Sequence, residues 1–260
     1  LGLTVVMTHH GADYDRAKWG AVAKAMLRLG ERLGIRSAAR TIAVSPSLRD
    51  TLAARYDADE RLRYIPNGAP AMLSDPAERA RVLADLDIEA GKFILTVGRL
   101  VPEKAFDLLV DAWEKSGTDR PLVIVGDTDH ASPFAKALTA RAGPKLRFVG
   151  RQPREIVAHL YAACDLFVLP SRHEGLPIVA LEAGRVGANM LMSDIPANLD
   201  VGLPRENYVP VGDVGALAAA LTKPGSAYPV DAAALSARFD WDRIAEMTGE
   251  VYREALAMTD

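Results

Sequence analysis

The sequence contains one cysteine, no long hydrophobic run and no excess of basic residues. Cys164 is the single cysteine, so an internal disulfide is excluded and a reducing compartment is favoured. Because Cys164 precedes an apolar run, we expect it to pack as a small apolar residue and not to act as a catalytic thiol. No apolar run reaches the roughly 20 residues of a membrane-spanning helix, and the first residues do not show the basic start of a signal peptide. We therefore expect a cytoplasmic location.

Composition also limits the class of partner. The 31 basic and 34 acidic residues give a net charge of -3, which does not indicate a nucleic-acid-binding protein. The apolar fraction of 49% is sufficient for a packed core, and 260 residues are enough for one large domain or two small ones.

Short apolar runs alternate with amphipathic helical patterns along the chain, which predicts an α/β fold with parallel sheets wrapped by helices. Residues 3–7, 40–44 and 62–65 form a first group of predicted strands, and residues 92–97 begin a second group. Residues 15–33 are predicted to form an amphipathic helix. Its apolar positions are assigned to the core: Trp19, Val22, Met26, Leu29 and Leu33.

One strand–loop–helix segment has a pattern typical of a ligand site. The apolar run 166–169 predicts a buried strand, and Pro177 can begin the next helix because proline at the first helical position loses no hydrogen bond. Glu174 lies in the loop between the two elements. The free amides near Gly175 and Leu176, together with the positive end of the helix, favour an anion such as a phosphate.

Further charged residues are candidates for the same site. Glu182 lies inside the same helix among apolar residues, and a buried charge is costly unless a polar ligand or a cation meets it. Arg99 and Lys104 lie in another loop, beside a glycine turn at Gly98. Arginine offers a planar fork and lysine a mobile point charge, which suits a diphosphate, although a charged loop is ordinarily only solvated. His10 precedes a glycine after the first predicted strand, where open α/β sheets place active-site residues, although such a histidine is ordinarily a core or turn residue.

The segment from Glu174 to Glu182 resembles the E-x7-E motif of the family 4 retaining glycosyltransferases, which have the GT-B fold of two Rossmann-like domains. On spacing alone, a surface glutamate and a helical salt bridge are the alternative interpretation. The flanking Phe-Val-Leu-Pro-Ser and Ser-Asp-Ile-Pro segments are also similar to the family. The His-Gly loop and the Gly-Arg-Leu-x-x-x-Lys loop are similar as well, although Ala105 stands where the family has a glycine.

The resemblance implies a role for each candidate residue. Arg99 and Lys104 would hold the diphosphate of a nucleotide-sugar donor, Glu174 would hold the sugar hydroxyls and Glu182 the ribose hydroxyls. His10 would contact the sugar from the facing domain. The implied catalytic residues are Glu174, His10, Arg99 and Lys104, and the implied donor-binding residues are Gly98, Arg99, Lys104, Gly150, Glu174, Gly175, Leu176 and Glu182.

The resemblance also implies how the chain is divided. The turn at residues 66–68 is similar to the family's junction between domains, which gives a partial N-terminal acceptor-side domain over residues 1–70 and a donor domain over residues 71–240. Residues 241–260 would form a helix that crosses back to the N-terminal domain. Because a strand begins almost at the first residue, we expect the first part of the N-terminal domain to be missing.

The implied function is transfer of a sugar from a nucleoside diphosphate donor to an acceptor hydroxyl, in polysaccharide or glycoconjugate assembly. The expected partners are the donor and a glycan or lipid-linked acceptor, with peripheral association at the inner membrane surface. The donor is a substrate, so no cofactor is predicted. No metal is predicted either, because Asp127-Thr128-Asp129 matches the metal motif of the other major glycosyltransferase fold in only three residues.

Two other functions stay open at this point. One is a nucleotide-sugar-binding half that is inactive without the missing N-terminal part. The other is a GT-B epimerase, which would invert a donor carbon without any acceptor. For the transferase, the family implies that the acceptor attacks on the face from which the phosphate leaves, and a covalent intermediate on Glu174 is the older alternative.

Overall fold

The computed structural model describes residues 3–12, 20–128 and 132–258. A small parallel sheet has the order β1-β2-β3, formed by β1 (Val6–His9), β2 (Arg40–Ala43) and β3 (Leu62–Tyr64). Helices α1 (Ala21–Ser37) and α2 (Pro46–Tyr56) connect these strands. Parallel strands need such crossovers, and the α/β alternation predicted from the sequence is confirmed.

A larger parallel sheet has the order β6-β5-β4-β7-β8-β9. Its strands are β4 (Ile94–Val97), β5 (Leu122–Val125), β6 (Leu146–Phe148), β7 (Leu166–Leu169), β8 (Met190–Ser193) and β9 (Tyr208–Val209). The helices around it are α3 (Pro76–Asp85), α4 (Phe106–Ser116), α5 (Pro133–Thr139), α6 (Arg154–Ala163), α7 (Ile178–Arg185), α8 (Pro196–Leu199), α9 (Val214–Leu221) and α10 (Ala232–Arg238). The strand order reverses between β4 and β7, and ligands of open α/β sheets bind outside the carboxyl ends of the strands at such a point.

The central strands of the larger sheet are buried on both faces. In β7, Phe167 and Leu169 pack into one apolar cluster, whereas Leu166 and Val168 pack into another. Every residue of β4, β5, β7 and β8 is buried. A strand covered by helices on both sides needs apolar residues at successive positions, which explains why these segments are unbroken apolar runs.

Two sequence-based expectations about the small sheet are wrong. The first strand lies at Val6–His9 and not at residues 3–7, so it ends directly before the predicted site residue His10. The apolar positions of α1 do not face the core: Val22 is 76% exposed and Met26 is 68% exposed, and Leu29 and Leu33 are more than half exposed. Ile35 is the buried residue of this helix, and Trp19 lies outside the described residues. Helical periodicity identifies an apolar face but not whether a neighbour covers it.

The final helix, α11 (Trp241–Ala257), packs against the small sheet. Its Ile244 and Val251 share an apolar cluster with Ile42 and Ile65. Glu254 accepts hydrogen bonds from the guanidinium groups of two small-sheet arginines at 2.7–3.1 Å, Arg40 and Arg63. The helix is thus bound to residues 40–65 by both apolar packing and ion pairs. The proposed domain boundaries stay predictions.

Candidate functional site

The loops after β4 and β7 meet at the carboxyl edge of the larger sheet. The β4 loop contains Gly98, Arg99 and a short turn at Pro102–Lys104, and the β7 loop runs from Pro170 to Pro177. The backbone N–H of Arg172 donates to the carbonyl of Glu103 at 2.9 Å, which joins the two loops directly. The sequence-based candidates from these two loops therefore lie at the switch point of the sheet.

Glu174 and Lys104 form an ion pair at this edge. The Lys104 ammonium donates to Oε1 of Glu174 at 2.6 Å, and both side chains are largely buried, at 16% and 10% exposure. The Ser171 hydroxyl donates to the same oxygen at 2.7 Å. A charged hydrogen bond is stronger than a neutral one, and burial shields it from solvent screening. The pair therefore fixes the position of one carboxylate and one cation at the mouth of the site.

A buried network of hydrogen bonds holds the backbone of Ser171. The Ser193 hydroxyl, at the end of β8, donates to the carbonyl of Ser171 at 2.5 Å. The amide of Asn198 donates to the carbonyl of Ser193 at 2.9 Å and to its hydroxyl at 3.0 Å. Ser171, Ser193 and Asn198 are all buried. Ser171 and Ser193 lie in two segments that are similar to the family, but the sequence assigned no role to them or to Asn198, because short polar residues after strands are ordinary turn residues.

Glycines allow the loops after β4, β5 and β6 to approach one another. Gly126 has φ +140°, and a Cβ there would lie 1.9 Å from the carbonyl oxygen of Gly98. The Gly126 N–H in turn donates to the carbonyl of Gly150 at 2.8 Å. Gly98 has φ +159°, next to the Phe106 ring and the Lys104 stem. Ala105 adopts φ +53°, so alanine makes the left-handed turn for which the family uses glycine.

Glu182 is buried, and a neighbouring helix provides its partners. Arg154 lies 3.3 Å from Oε1 of Glu182, and the Tyr161 hydroxyl donates to Oε2 at 3.5 Å. Both partners are on α6. Burial raises the pKa of Glu182, and the Arg154 charge and the Tyr161 hydroxyl only partly offset this effect. The sequence predicts a polar ligand or a cation next to Glu182, and Arg154 of the same chain is such a cation. A salt bridge was also the alternative interpretation of this glutamate.

The helix that carries Glu182 begins one residue later than predicted. Pro177 is the N-cap of α7 and Ile178 is its first residue, because Pro177 has an extended backbone with ψ 96°. Gly175 and Leu176 come directly before this N-cap. Their position at the entrance of the helix is the one predicted for anion-binding amides.

His10 directly follows β1 of the small sheet, and its backbone lies against the β7 loop. It is exposed, and its carbonyl oxygen lies so close to Gly175 that a Cβ on Gly175 would be 1.9 Å away. His9, the preceding residue, hydrogen-bonds to Glu31 at 2.7 Å and accepts the backbone N–H of Gly11 at 3.2 Å. The structure therefore places the backbone of the His10 loop against the Glu174 loop.

A cleft of about 250 Å³ lies between the two sheets beside this contact. Ser47, Thr51 and Arg55 from α2 line one side, and Arg172 and His173 from the β7 loop line the other. A larger groove of about 830 Å³ lies at the amino ends of the larger sheet, next to residues 87–93 and 119–121. Glu174 lines the cleft and does not line the larger groove, so the larger groove is not part of the candidate site.

The structure brings several of the predicted residues together and leaves Glu182 apart from them. Gly98, Lys104, Glu174 and Gly175 share the edge between β4 and β7, with Arg99 exposed on the same β4 loop. Glu182 makes its described contacts with α6 and not with this group. Asp129, part of the discounted Asp-x-Asp segment, lies outside the described residues.

Within residues 3–12, 20–128 and 132–258, no three His, Cys, Asp or Glu side chains are grouped so that they could hold a metal ion. In the same ranges, no helix is both long and apolar enough to pass through a membrane. Cys164 is half-buried, its thiol donates to the Tyr161 carbonyl at 3.3 Å, and burial raises its pKa.

Comparison with known families and proteins gives concordant matches. The family model described as "Glycosyl transferases group 1" matches residues 81–224, and that described as "Glycosyltransferase Family 4" matches residues 1–71. The D-inositol 3-phosphate glycosyltransferase of Mycobacteroides abscessus is 26% identical over 246 residues, which are 90% of this chain and 56% of the relative. The alpha-D-kanosaminyltransferase of Streptomyces kanamyceticus is 25% identical over 207 residues, which are 75% of this chain and 54% of the relative. The chain spans about half the length of these curated relatives.

Solved structures share the fold. Sucrose-phosphate synthase from Thermosynechococcus elongatus superposes with a TM-score of 0.76 at 24% identity, over 97% of this chain and 68% of the other. Anabaena HepE in complex with UDP-glucose superposes with a TM-score of 0.81 at 20% identity, over 96% of this chain and 72% of the other. At these identities the likeness shows the fold alone, and it confirms the predicted GT-B class.

Proposed function

The chain belongs to the group 1 glycosyl transferases, and from this premise we propose that it acts as a retaining glycosyltransferase on a nucleoside diphosphate sugar. The observation that carries the proposal is the buried Lys104–Glu174 pair at the switch point of the larger sheet. A ligand that spans this point would meet a cation and a carboxylate at a fixed distance. A nucleotide sugar offers an anionic diphosphate and a sugar rich in hydroxyls, which match these two groups.

The proposed chemistry depends on the charge of the leaving group. Cleavage of the bond between the sugar and the diphosphate leaves negative charge on the phosphate oxygens. Lys104 and Arg99, both on the β4 loop, are the cations that would stabilise this charge in the transition state. Lys104 is already held by Glu174 and would need little reorganisation. Glu174, held also by Ser171, would accept hydrogen bonds from the sugar hydroxyls.

The nucleoside would extend along the same edge, towards the ends of β5 and β6. The close backbone approach of Gly98, Gly126 and Gly150 forms a surface without side chains there. Glu182, with Arg154 and Tyr161 as partners, is the proposed contact of the ribose hydroxyls. HepE was crystallised with UDP-glucose, so uridine diphosphate sugars are the first donors to test.

The acceptor would enter through the cleft between the sheets. The cleft reaches Glu174, and the exposed His10 stands beside it on the small sheet. The relative from Mycobacteroides abscessus is named for D-inositol 3-phosphate, and the cleft contains two arginines, Arg55 and Arg172. An acceptor with a phosphate group, either a sugar phosphate or a lipid-linked glycan, is therefore the proposed class.

We also propose peripheral association with a membrane, through α1. Its exposed apolar face, Val22, Met26, Leu29 and Leu33, is defined here as the α1 stripe. Arg28, Arg32 and Arg36 are exposed on the same helix, whereas its acidic residue Glu31 is buried. An amphipathic helix with basic flanks can lie at the surface of an anionic bilayer.

The proposed function is tested by incubating the protein with a panel of nucleotide sugars and analysing the products. Transfer or hydrolysis that releases the sugar with the anomeric configuration of the donor supports a retaining transferase. An inverted anomer contradicts retention. A donor isomerised at a sugar carbon, with the diphosphate still attached, indicates the epimerase instead. A glycosyl adduct on Glu174, detected by mass spectrometry, would replace same-face attack with a covalent mechanism.

A nucleotide-sugar-binding half without activity of its own is the second candidate function. Among the described residues, β1 pairs only with β2, so the other edge of β1 carries no partner strand. Leu3 and Val5, which precede β1 in the chain, are 78% and 49% exposed. Exposed apolar residues beside an open sheet edge are typical of a surface that further chain covers. Saturable donor binding without turnover by the 260 residues would favour this candidate.

A further inference from the structure

His9, which the family resemblance leaves without a role, links the small sheet to the loop at the donor site. Its Nε2 lies 2.7 Å from Oε2 of Glu31, and its Nδ1 accepts the backbone N–H of Gly11 at 3.2 Å. We propose that His9 and Glu31 are positioning residues that hold the His10–Gly11 backbone against Gly175, and that Glu31 acts by fixing the tautomer of His9. This inference rests on the proposed function, because it assigns the pair to the donor site.

The two hydrogen bonds of His9 are compatible with one neutral tautomer. A backbone N–H can only donate, so Nδ1 must carry a lone pair towards Gly11. The proton of the neutral ring is then on Nε2, where it donates to the Glu31 carboxylate. The opposite tautomer would direct an N–H at the N–H of Gly11 and a lone pair at a carboxylate. Glu31 thus selects the ring form that can bind Gly11.

Glu31 is itself held in an acceptor role. Its side chain is 5% exposed, and the Tyr56 hydroxyl donates to Oε1 at 2.5 Å. Arg55 lies 3.5 Å from the same oxygen. Burial and the neighbouring carboxylate raise the pKa of Tyr56, so its hydroxyl keeps the proton that it donates. Among the described residues, Glu31 therefore faces two hydrogen-bond donors, His9 and Tyr56, and the Arg55 cation.

The loop held by His9 has little freedom where it meets the donor site. Gly11 has φ +132°, a conformation that side chains with a Cβ rarely adopt, and a Cβ there would lie 3.3 Å from the Gly175 Cα. On the other side, a Cβ on Gly175 would lie 1.9 Å from the His10 carbonyl oxygen. The two backbones are packed directly on each other. A shift of Gly11 would therefore move both His10 and the Gly175 loop that carries Glu174.

The consequence differs between the two parts of a nucleotide sugar. His10 and Glu174 are the proposed contacts of the sugar, whereas the diphosphate and the nucleoside are assigned to the β4 loop and to α7. Loss of the Gly11 hydrogen bond should therefore weaken binding of the complete donor more than binding of the nucleoside diphosphate alone. A purely structural role of His9 would not separate these two affinities.

The matched variants are His9→Asn, His9→Gln and Glu31→Gln. Asparagine places an acceptor near the position of Nδ1, and glutamine places a donor near that of Nε2, so only His9→Asn keeps the bond to Gly11. In Glu31→Gln, the amide can donate to Nε2 and move the ring proton to Nδ1. We expect the preference for the donor over its diphosphate to fall about tenfold in His9→Gln and Glu31→Gln, the size of one buried hydrogen bond, and to stay within about twofold in His9→Asn.

Calorimetry with UDP and UDP-glucose, ADP and ADP-glucose, and GDP and GDP-mannose measures this preference, and ¹⁵N NMR of the imidazole reports the tautomer. The expected signature is Nε2–H in the unmodified protein and Nδ1–H in Glu31→Gln. If His9→Gln and Glu31→Gln still bind the nucleoside diphosphate and keep the unmodified protein's preference for the complete donor, the inference is overturned but the proposed function is not. If the unmodified protein bound none of the six nucleotides, the proposed function would fail and the inference with it. Thermal unfolding of each variant identifies a loss of binding that is only a loss of fold.

Discussion

At the residue scale, Lys104 has the most direct link between structure and chemistry. Its ammonium is 16% exposed and is held by Glu174, so it lies ready for an anion at low cost in side-chain entropy. Lys145 provides a contrast, since it pairs with Asp119 at 2.9 Å on an exposed surface. An exposed pair of this kind contributes little to stability or to binding.

Replacement of Lys104 by alanine should slow sugar transfer by about 100-fold or more, because removal of one preorganised electrostatic contact costs about 3 kcal/mol in the transition state. Lys145→Ala is the matched control and should keep the rate of the unmodified protein. The measurement is steady-state turnover of the best donor from the nucleotide-sugar panel. Equal rates in the two variants would remove Lys104 from the proposed mechanism.

Glu182 leads to a prediction about pH and stability. Burial raises its pKa, so the folded state binds this proton more tightly than the unfolded state does. The resulting stabilisation is present below about pH 4.5, the ordinary value, and is lost as the pH rises through the value in the folded protein. Glu182→Gln should therefore unfold at a higher temperature than the unmodified protein at pH 7, and the difference should shrink at pH 4.

Glu182→Gln should lower the affinity for nucleotides, although it raises the stability of the fold at pH 7. If Glu182 binds the ribose hydroxyls, Glu182→Gln should weaken nucleoside diphosphate binding while it stabilises the fold. Differential scanning calorimetry and titration calorimetry on the same samples test both statements. A variant that is less stable at pH 7 would mean that the bonds to Arg154 and Tyr161 outweigh the desolvation of the carboxylate.

The candidate site shows what can be predicted residue by residue. Glu174, Lys104 and Gly98 were identified because they lie in loops that follow strands of the larger sheet and match two motifs of the family, and the carboxyl ends of parallel strands meet at one edge. Ser193 and Asn198 were missed because their role depends on a bond between separate loops. Charge in an apolar run indicated that Glu182 is buried, but the sequence could not show that Arg154, from another helix, would be its partner.

At the element scale, α2 connects the two sheets. The N–H and the hydroxyl of Ser47, in the first turn of α2, donate to Oδ2 of Asp200 at 3.0 and 2.5 Å. Asp200 is the C-cap of α8, the helix that follows β8 of the larger sheet. A carboxylate at a helix N-terminus binds free amides and interacts favourably with the helix dipole. Asp200 therefore caps a helix of the other sheet.

Replacement of Asp200 by alanine should lower the free energy of unfolding by about 1 kcal/mol, the typical cost of a lost cap. Asp231→Ala removes a comparable cap, since Asp231 accepts the N–H of Ala234 within α10. Both variants should be destabilised in chemical denaturation, but only Asp200→Ala should increase the radius of gyration in small-angle scattering. An equal radius of gyration in the two variants would show that Asp200 does not hold the sheets together.

The α1 stripe gives a second prediction at this scale. In a vesicle flotation assay, the protein should bind vesicles of anionic phospholipid and not neutral ones, because apolar insertion and basic flanks act together. Met26→Glu should abolish this binding, since it places an acidic group in the middle of the stripe. Leu73→Glu is the control, because Leu73 is 83% exposed and lies outside α1. Binding to neither type of vesicle would leave the stripe without its proposed partner.

At the scale of the whole molecule, the fold could be predicted from the sequence, but which apolar faces are buried by other elements could not. Short apolar runs bounded by turn residues, such as Leu166–Leu169 before Pro170, are typical of strands covered on both sides, so the larger sheet could be predicted from the sequence. The α1 stripe has the same periodicity as a core-facing helix, yet Met26 and Val22 are exposed. Periodicity records the chemistry of a face, whereas tertiary structure decides what that face meets.

The central claim is that the edge between β4 and β7 binds the diphosphate of a nucleotide sugar with protein cations. Titration calorimetry of UDP, ADP and GDP, with a chelator present, tests it most directly. We expect saturable, metal-independent binding of at least one nucleotide by the unmodified protein and by Lys145→Ala, and at least tenfold weaker binding by Lys104→Ala, in line with the loss of a charged hydrogen bond. Binding of the best nucleotide that is equally tight in Lys104→Ala, or no binding of any of the three, would contradict the claim.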